Sequence, residues 1–120
     1  MVRIASKQPR KQRKARYNAP LHERGSLMHS MLAKDLREKY QKRSTRVIHG
    51  DTVKVMRGSY AGHEGVVDTV LMKSLQIIVD GVVIKKADGT EVPRPVDPSN
   101  VMIIRLNLDD NRREEILKRK

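Results

Sequence analysis

The sequence predicts a mainly β fold: a small barrel, preceded by a basic helical N-terminal extension and followed by a short C-terminal helix. Three observations carry that expectation. Short runs rich in valine and isoleucine recur between residues 51 and 106, separated by glycine, proline and aspartate turn signals. Nearly all the excess positive charge lies before those runs. The chain has 120 residues, about one domain, with 38% apolar residues, three Tyr and neither Phe nor Trp, so its core must be small and aliphatic.

The first 19 residues contain Arg3, Lys7, Arg10, Lys11, Arg13, Lys14 and Arg16 and no acid. Pro9 suits the first position of a helix, and Pro20 biases Ala19 to an extended conformation, so a helix is expected to stop near Asn18. Its cations lie all round, with no apolar stripe to dock it. The isolated arm is therefore expected to be disordered, and to order on phosphate with counterion release. A nuclear-localisation run and a membrane-surface helix are the rival readings, the second weakened by the missing apolar face. Tyr17, the arm's only aromatic, suits either stacking on a base or packing on the body.

Leu32, Leu36 and Tyr40 recur every four residues, with Ala33 beside them. This predicts a helix over residues 30–41, its apolar stripe on the barrel and Asp35–Lys39 and Glu38–Lys42 as favourable i,i+4 pairs outside. Lys42, Arg43 and Arg46 form a second basic cluster just before the first expected strand.

That strand, residues 51–56, alternates so that Val53 and Val55 share one face and Lys54 and Met56 the other. Gly58, Gly62 and Gly65 punctuate the passage to a second strand at 64–71. A tight corner needs residues that accept positive φ, and RNA approaches closely where no Cβ intervenes. Further strands are expected at 75–79, 82–86 and 101–106, with turns at Asp80-Gly81, 87–90 and 97–100. Residues 91–96 are extended, but Pro93 and Pro95 suit an edge or a loop. In the tail, Asp109 or Asp110 is placed to cap a helix bearing the apolar pair Ile116 and Leu117, marginal unless docked. The expected division is 1–48 basic extension, 49–106 barrel and 107–120 terminal helix.

The charge is distributed unevenly. Residues 1–50 hold 14 Lys/Arg against three acids, residues 51–108 hold seven of each, and residues 109–120 hold five against four. A basic arm beside a neutral body is the footprint of a polyanion partner. Cysteine is absent, which excludes disulfides and thiol chemistry. His22, His29, His49 and His63 lack metal-ligand spacing, so no metal or other cofactor is assigned. Asp109/Asp110 and Glu114/Glu115 suit a solvated helix start better than acid–base chemistry. No phosphate loop or nucleophile elbow is present, so neither catalytic residues nor a small-molecule substrate is expected. Without a secretory leader or membrane span, the chain reads as soluble and intracellular.

Residues 49–71, HGDTVKVMRGSYAGHEGVVDTVL, resemble the KOW motif, a glycine-bearing strand–loop–strand unit that opens a small SH3-like barrel. The blocks KQRKARYNAP, LAKDLREKYQKRS, GDTVKVMRGSYAGHEGVV, KADGTEVPRPVDPSNV and NLDDNRREEIL widen the resemblance from about Lys7 to Leu117. They are similar to the archaeal and eukaryotic form of the universal large-subunit ribosomal protein L-twenty-four family, and the short C-terminus resembles the archaeal form. The resemblance implies a cytoplasmic component of the large ribosomal subunit. Such a protein binds the 5′ domain of large-subunit rRNA, helps initiate subunit assembly and lies near the polypeptide exit tunnel. Its implied partners are that rRNA, neighbouring ribosomal proteins and factors at the tunnel exit, with no membrane insertion.

Carried onto this sequence, the resemblance implies RNA contacts from Lys11, Arg13, Lys14, Arg16, Tyr17 and Asn18 in the arm. Lys34, Arg37, Lys39 and Arg43 follow along the helix, with Arg57, Gly58, Gly62 and His63 in the barrel loop. Lys7, Arg10, His22, Arg24 and Arg46 complete the candidate RNA-binding set. Many KOW loops carry a lysine before the central glycine; Ala61 stands there in this chain, so the loop brings little phosphate charge. The alternative is a KOW module of a transcription elongation factor. Such factors carry an α/β domain before the barrel, and residues 1–48 are not expected to hold the strands for one.

Overall fold

The computed structural model describes residues 4–119, so Arg3 of the basic arm lies outside the described residues. In chain order the elements are α1 (Pro9–Tyr17), α2 (Leu21–Leu27), β1 (His29–Leu32), α3 (Lys34–Tyr40) and β2 (Ser44–Arg46). There follow β3 (Thr52–Val55), β4 (Glu64–Leu71), β5 (Gln76–Val79), β6 (Val83–Lys85), β7 (Glu91–Pro93), a 3-10 turn (Pro98–Asn100), β8 (Val101–Arg105) and α4 (Asn111–Lys118). Six strands form one sheet in the order β2-β1-β8-β3-β4-β5, and β6 and β7 pair as a separate hairpin. No helix among the described residues is long and apolar enough to cross a membrane.

The sheet curls because two strands carry an irregular register. β4 pairs Val67 with Val79 but Thr69 with Ile78, leaving Asp68 as an extra residue. The β3–β8 ladder shifts between Thr52 and Val53. A bulge bends its strand and increases the local twist, which closes short strands into a barrel-like wall. The bulge at Asp68 also changes the phase of β4: Val67 is buried, Asp68 and Thr69 are both exposed, and Val70 turns partly inward. Across the curl, Val53 and Val55 of β3, Val101 and Ile103 of β8, and Ile77 and Val79 of β5 meet in one aliphatic core with Met28, Leu32 and Val47. The hairpin is joined to this wall where Val96 and Ile77 exchange two backbone hydrogen bonds of 2.8 Å each.

Two sequence expectations change in the first 48 residues. The helix expected over 30–41 is preceded by a strand: β1 occupies His29–Leu32, and α3 begins only at Lys34. Residues 29–32 alternate exposed and buried, and β1 pairs antiparallel with β2 and parallel with β8. Leu32 is fully buried, but as a strand residue. Its four-residue spacing to Leu36 matches a helical period by coincidence, and ladder pairing decides the matter. Residues 1–48 therefore do hold strands, and both lie in the same sheet as β3 and β8. The helix ends as expected, with Gln41 as a left-handed cap at φ 54°. Neither expected i,i+4 pair is among the ion pairs of the described residues; the Lys39 ammonium instead lies 5.3 Å from the Tyr40 ring centroid.

α1 spans the expected residues, with Pro9 at its start and Asn18 at its end. It is folded although it buries none of its residues, where the composition predicts disorder for the isolated arm. Pre-organised φ at Pro9 and closure of the last turn by the Asn18 and Ala19 backbone amides supply the local reasons. Asp110, one of two candidate caps, accepts a 3.0 Å hydrogen bond from the Arg112 amide and starts α4. α4 turns Leu117 fully inward and leaves Ile116 half exposed.

Candidate nucleic-acid interface

The arm offers its cations to solvent. Lys7, Arg10, Lys11, Arg13, Lys14, Arg16, Tyr17 and Asn18 lie along its surface, with Tyr17 62% exposed. Arg16 lies 3.8 Å from the Asp97 carboxylate, which joins the last turn of α1 to the loop before β8. His22 and, further on, Lys34, Lys39, Arg43 and Arg46 are at least partly exposed, and Arg57, Gly58 and Gly62 line the open β3–β4 loop. Gly58 and Gly62 have φ of +92° and +91°, and a Cβ built on either would meet nothing within 4 Å. Both the expected turn geometry and an open approach are present there. Gly65 differs: a Cβ there would stand 2.6 Å from the Asp80 carbonyl oxygen, so close strand packing excludes a side chain.

Four expected RNA-facing side chains have work inside the protein. Arg24 donates from Nε to the Ala19 carbonyl at 2.8 Å and from Nη1 to the Met72 and Lys73 carbonyls at 3.1 and 2.5 Å. Its Nη2 donates to the Tyr17 carbonyl. One planar guanidinium thus holds the end of α1, the turn into α2 and the β4–β5 turn together. Arg37 donates to the Leu32 carbonyl at 2.9 Å. The guanidinium of Arg46 lies over Gly25, where a Cβ would approach its Nη1 to 3.0 Å, and its Nη2 donates to the Met72 sulfur at 3.7 Å. The Nε2 of His63 is 2.9 Å from the Asp80 carbonyl oxygen, and its ring meets Tyr60 edge-on at 6.2 Å. His63 therefore braces the loop against the β5–β6 turn. His29 has its pKa lowered, first by desolvation of its ring against the protein and then by the Arg46 guanidinium, which disfavours the charged ring.

The node that anchors the barrel's ends escaped the sequence reading. Asp51, fully buried, receives Arg113 at 2.6 Å on one carboxylate oxygen and 2.7 Å on the other. The Ile48 and Asn107 amides donate to the same carboxylate at 3.1 and 2.9 Å. Arg113 also donates to the Asn107 and Arg46 carbonyls at 2.8 and 3.0 Å. The sole local signal is the i,i+4 spacing of Arg113 and Leu117, which puts both on one face of α4. Among the described residues no group of three His, Asp or Glu side chains is placed to hold a metal ion.

The arrangement is an exposed cationic helix tied to the rim of a neutral, barrel-like body, suited to binding a polyanion. Comparison with known proteins gives it a family. The family model for the ribosomal proteins called L26 in eukaryotes and L24 in archaea matches residues 6–120. The large ribosomal subunit protein uL24 of Methanospirillum hungatei is 68% identical over 117 residues, covering 98% of each chain. Those of Methanoculleus marisnigri and Methanocorpusculum labreanum are 66% and 63% identical, covering 98% and 92% of this chain and 97% and 91% of theirs. The chain therefore belongs to this family of eukaryotic L26 and archaeal L24 ribosomal proteins, a structural constituent of the ribosome and not an enzyme.

Proposed function

We propose that this protein, as a component of the large ribosomal subunit, binds the 5′ domain of large-subunit rRNA directly, helps to initiate subunit assembly and lies near the polypeptide exit tunnel. One observation carries the RNA-binding reading: α1 presents Arg10, Lys11, Arg13, Lys14 and Arg16 on a helix that buries none of its residues. A helix with no apolar docking face and no acids has little to gain from the protein body and much to gain from phosphates. The arm supplies the electrostatics, and Lys34, Lys39, Arg43 and Arg57 extend the contact along the body. Backbone contacts of this kind fix position, and shape-fitting of the open β3–β4 loop to folded RNA adds selectivity. Neighbouring ribosomal proteins and factors at the tunnel exit are the remaining partners in this reading.

The test is binding of the full chain to a 5′-domain rRNA fragment across a salt series. Deleting residues 1–16 is expected to weaken binding and to reduce the slope of log K against log salt by about 0.7–0.9 for each phosphate no longer neutralised. Unchanged affinity and slope would refute the role given to the arm.

A further inference from the structure

We propose that a cleft beside the β3–β4 loop holds one unstacked RNA base, with the carboxamides of Gln76 and Asn100 reading its edge. This deepens the RNA-binding reading above by adding a base-selective subsite that the basic arm lacks.

The cleft has a volume of about 240 Å³. That is below the ~300–1,000 Å³ typical of pockets for drug-sized ligands, and suits a single base. It is assembled from three separated stretches: Arg57 and Tyr60 after β3, Gln76 at the start of β5, and Arg94 to Asn100 around the 3-10 turn. The buried valines Val55 and Val82 close its inner end. Gln76 and Asn100 are half-buried, and no intramolecular hydrogen bond from either carboxamide is found among the described residues. A carboxamide presents a donor and an acceptor in one plane, the pattern that matches a nucleobase edge. Sequence-selective RNA recognition acts mostly on unstacked bases read in this way.

The rim is held in place before any ligand arrives. Nη1 of Arg94 donates to the Ser59 hydroxyl at 2.8 Å, and its backbone amide donates to the Val82 carbonyl at 3.0 Å. The Tyr60 hydroxyl donates to the Val83 carbonyl. Arg57 and Arg94 set two cations at the rim against one carboxylate, Asp97. That carboxylate is held in place: one oxygen accepts from the Ser99 amide and hydroxyl at 3.0 and 2.8 Å, and the other lies 3.8 Å from Arg16. The Arg16–Asp97 contact also brings the end of α1 to the cleft, so a strand bound along the arm is delivered to it.

The experiment is base-edge chemical probing of a 5′-domain rRNA fragment bound by the full chain and by the double variant Gln76→Ala, Asn100→Ala. A base protected by the native chain is expected to regain reactivity with the variant. Affinity is expected to fall about 5- to 150-fold, as when one good bidentate base pairing is removed, with the salt slope unchanged. Identical footprints and affinities would overturn the proposal. So would protection of a phosphate alone that disappears in Arg94→Ala, which would make the cleft a backbone contact. A second readout uses the unmodified chain and a fragment carrying a photoreactive thio-substituted nucleotide at the protected base: cross-links are expected on peptides containing Tyr60 or Arg94, and cross-links confined to residues 7–24 overturn the subsite. Binding that depends on the arm but shows neither signal overturns the cleft alone. A fragment that the full chain does not bind overturns both readings.

Discussion

Single residues do two kinds of work in this protein, and only one kind faces outward. The buried Asp51 and Arg113 form a bidentate pair whose remaining donors and acceptors reach β2, Asn107 and the turn before β3. Each hydrogen bond satisfies a group that burial would otherwise leave unpaired. Replacing one partner strands the other charge, so Arg113→Met is expected to lower stability by about 3–5 kcal/mol in denaturant titration. The double variant Asp51→Asn, Arg113→Met is expected to recover part of that loss, because no net charge is then buried. Glycines separate in the same way. Gly58 needs only positive φ, so Gly58→Asn is expected to melt within about 1 kcal/mol of the native chain. Gly65 touches the Asp80 carbonyl, so Gly65→Ala is expected to lose about 1–3 kcal/mol through forced separation of β4 from the following turn. Thermal melts of the two variants side by side check the distinction.

Elements in this fold owe their stability to different partners. β1 and β2 are short, yet β1 is flanked on both sides and donates Ser30 through a 2.6 Å hydrogen bond to the Pro98 carbonyl. α4 is short enough to be marginal alone and is held by Arg113 and Leu117. Leu117→Ala is expected to destabilise by about 2–5 kcal/mol, as for a buried leucine, and the neighbouring Ile116→Ala by less than about 0.5 kcal/mol. A larger loss from Ile116→Ala than from Leu117→Ala would mean that α4 docks by the other face. β4, the terminal cap and the end of α3 were legible because glycine spacing, valine density and turn residues act locally. β1 was not, because its strand character comes from pairing with β2 across α3 and with β8, some 70 residues away in sequence, and no local signal outweighed the apparent helical spacing.

The whole molecule separates charge from core. Arg24 and the Arg16–Asp97 pair fasten α1 to the body, yet α1 adds nothing buried to the core. A chain beginning at residue 17 is therefore expected to retain its far-ultraviolet spectrum and to melt within a few degrees of the full chain, since surface changes away from packed groups rarely exceed about 0.5 kcal/mol. Its RNA affinity is expected to fall at low salt and to approach that of the full chain at high salt, where the counterion term vanishes. A large drop in melting temperature would instead make α1 part of the fold.

The sequence by itself determined the family, the aliphatic barrel-like wall, the basic arm and the bounds of its helix, because these rest on residue type and spacing within a few positions. Tertiary structure alone decided which cations remain free. In the sequence, Arg24, Arg37 and Arg46 look no different from the arginines of the arm, and nothing near His63 marks its ring as engaged. Backbone carbonyls and a facing glycine, brought beside them by the sheet, engage them internally. Tertiary structure likewise joins Asp51 to Arg113 once α4 packs on the sheet, and places Gln76 and Asn100, distant in the chain, in the lining of one cleft.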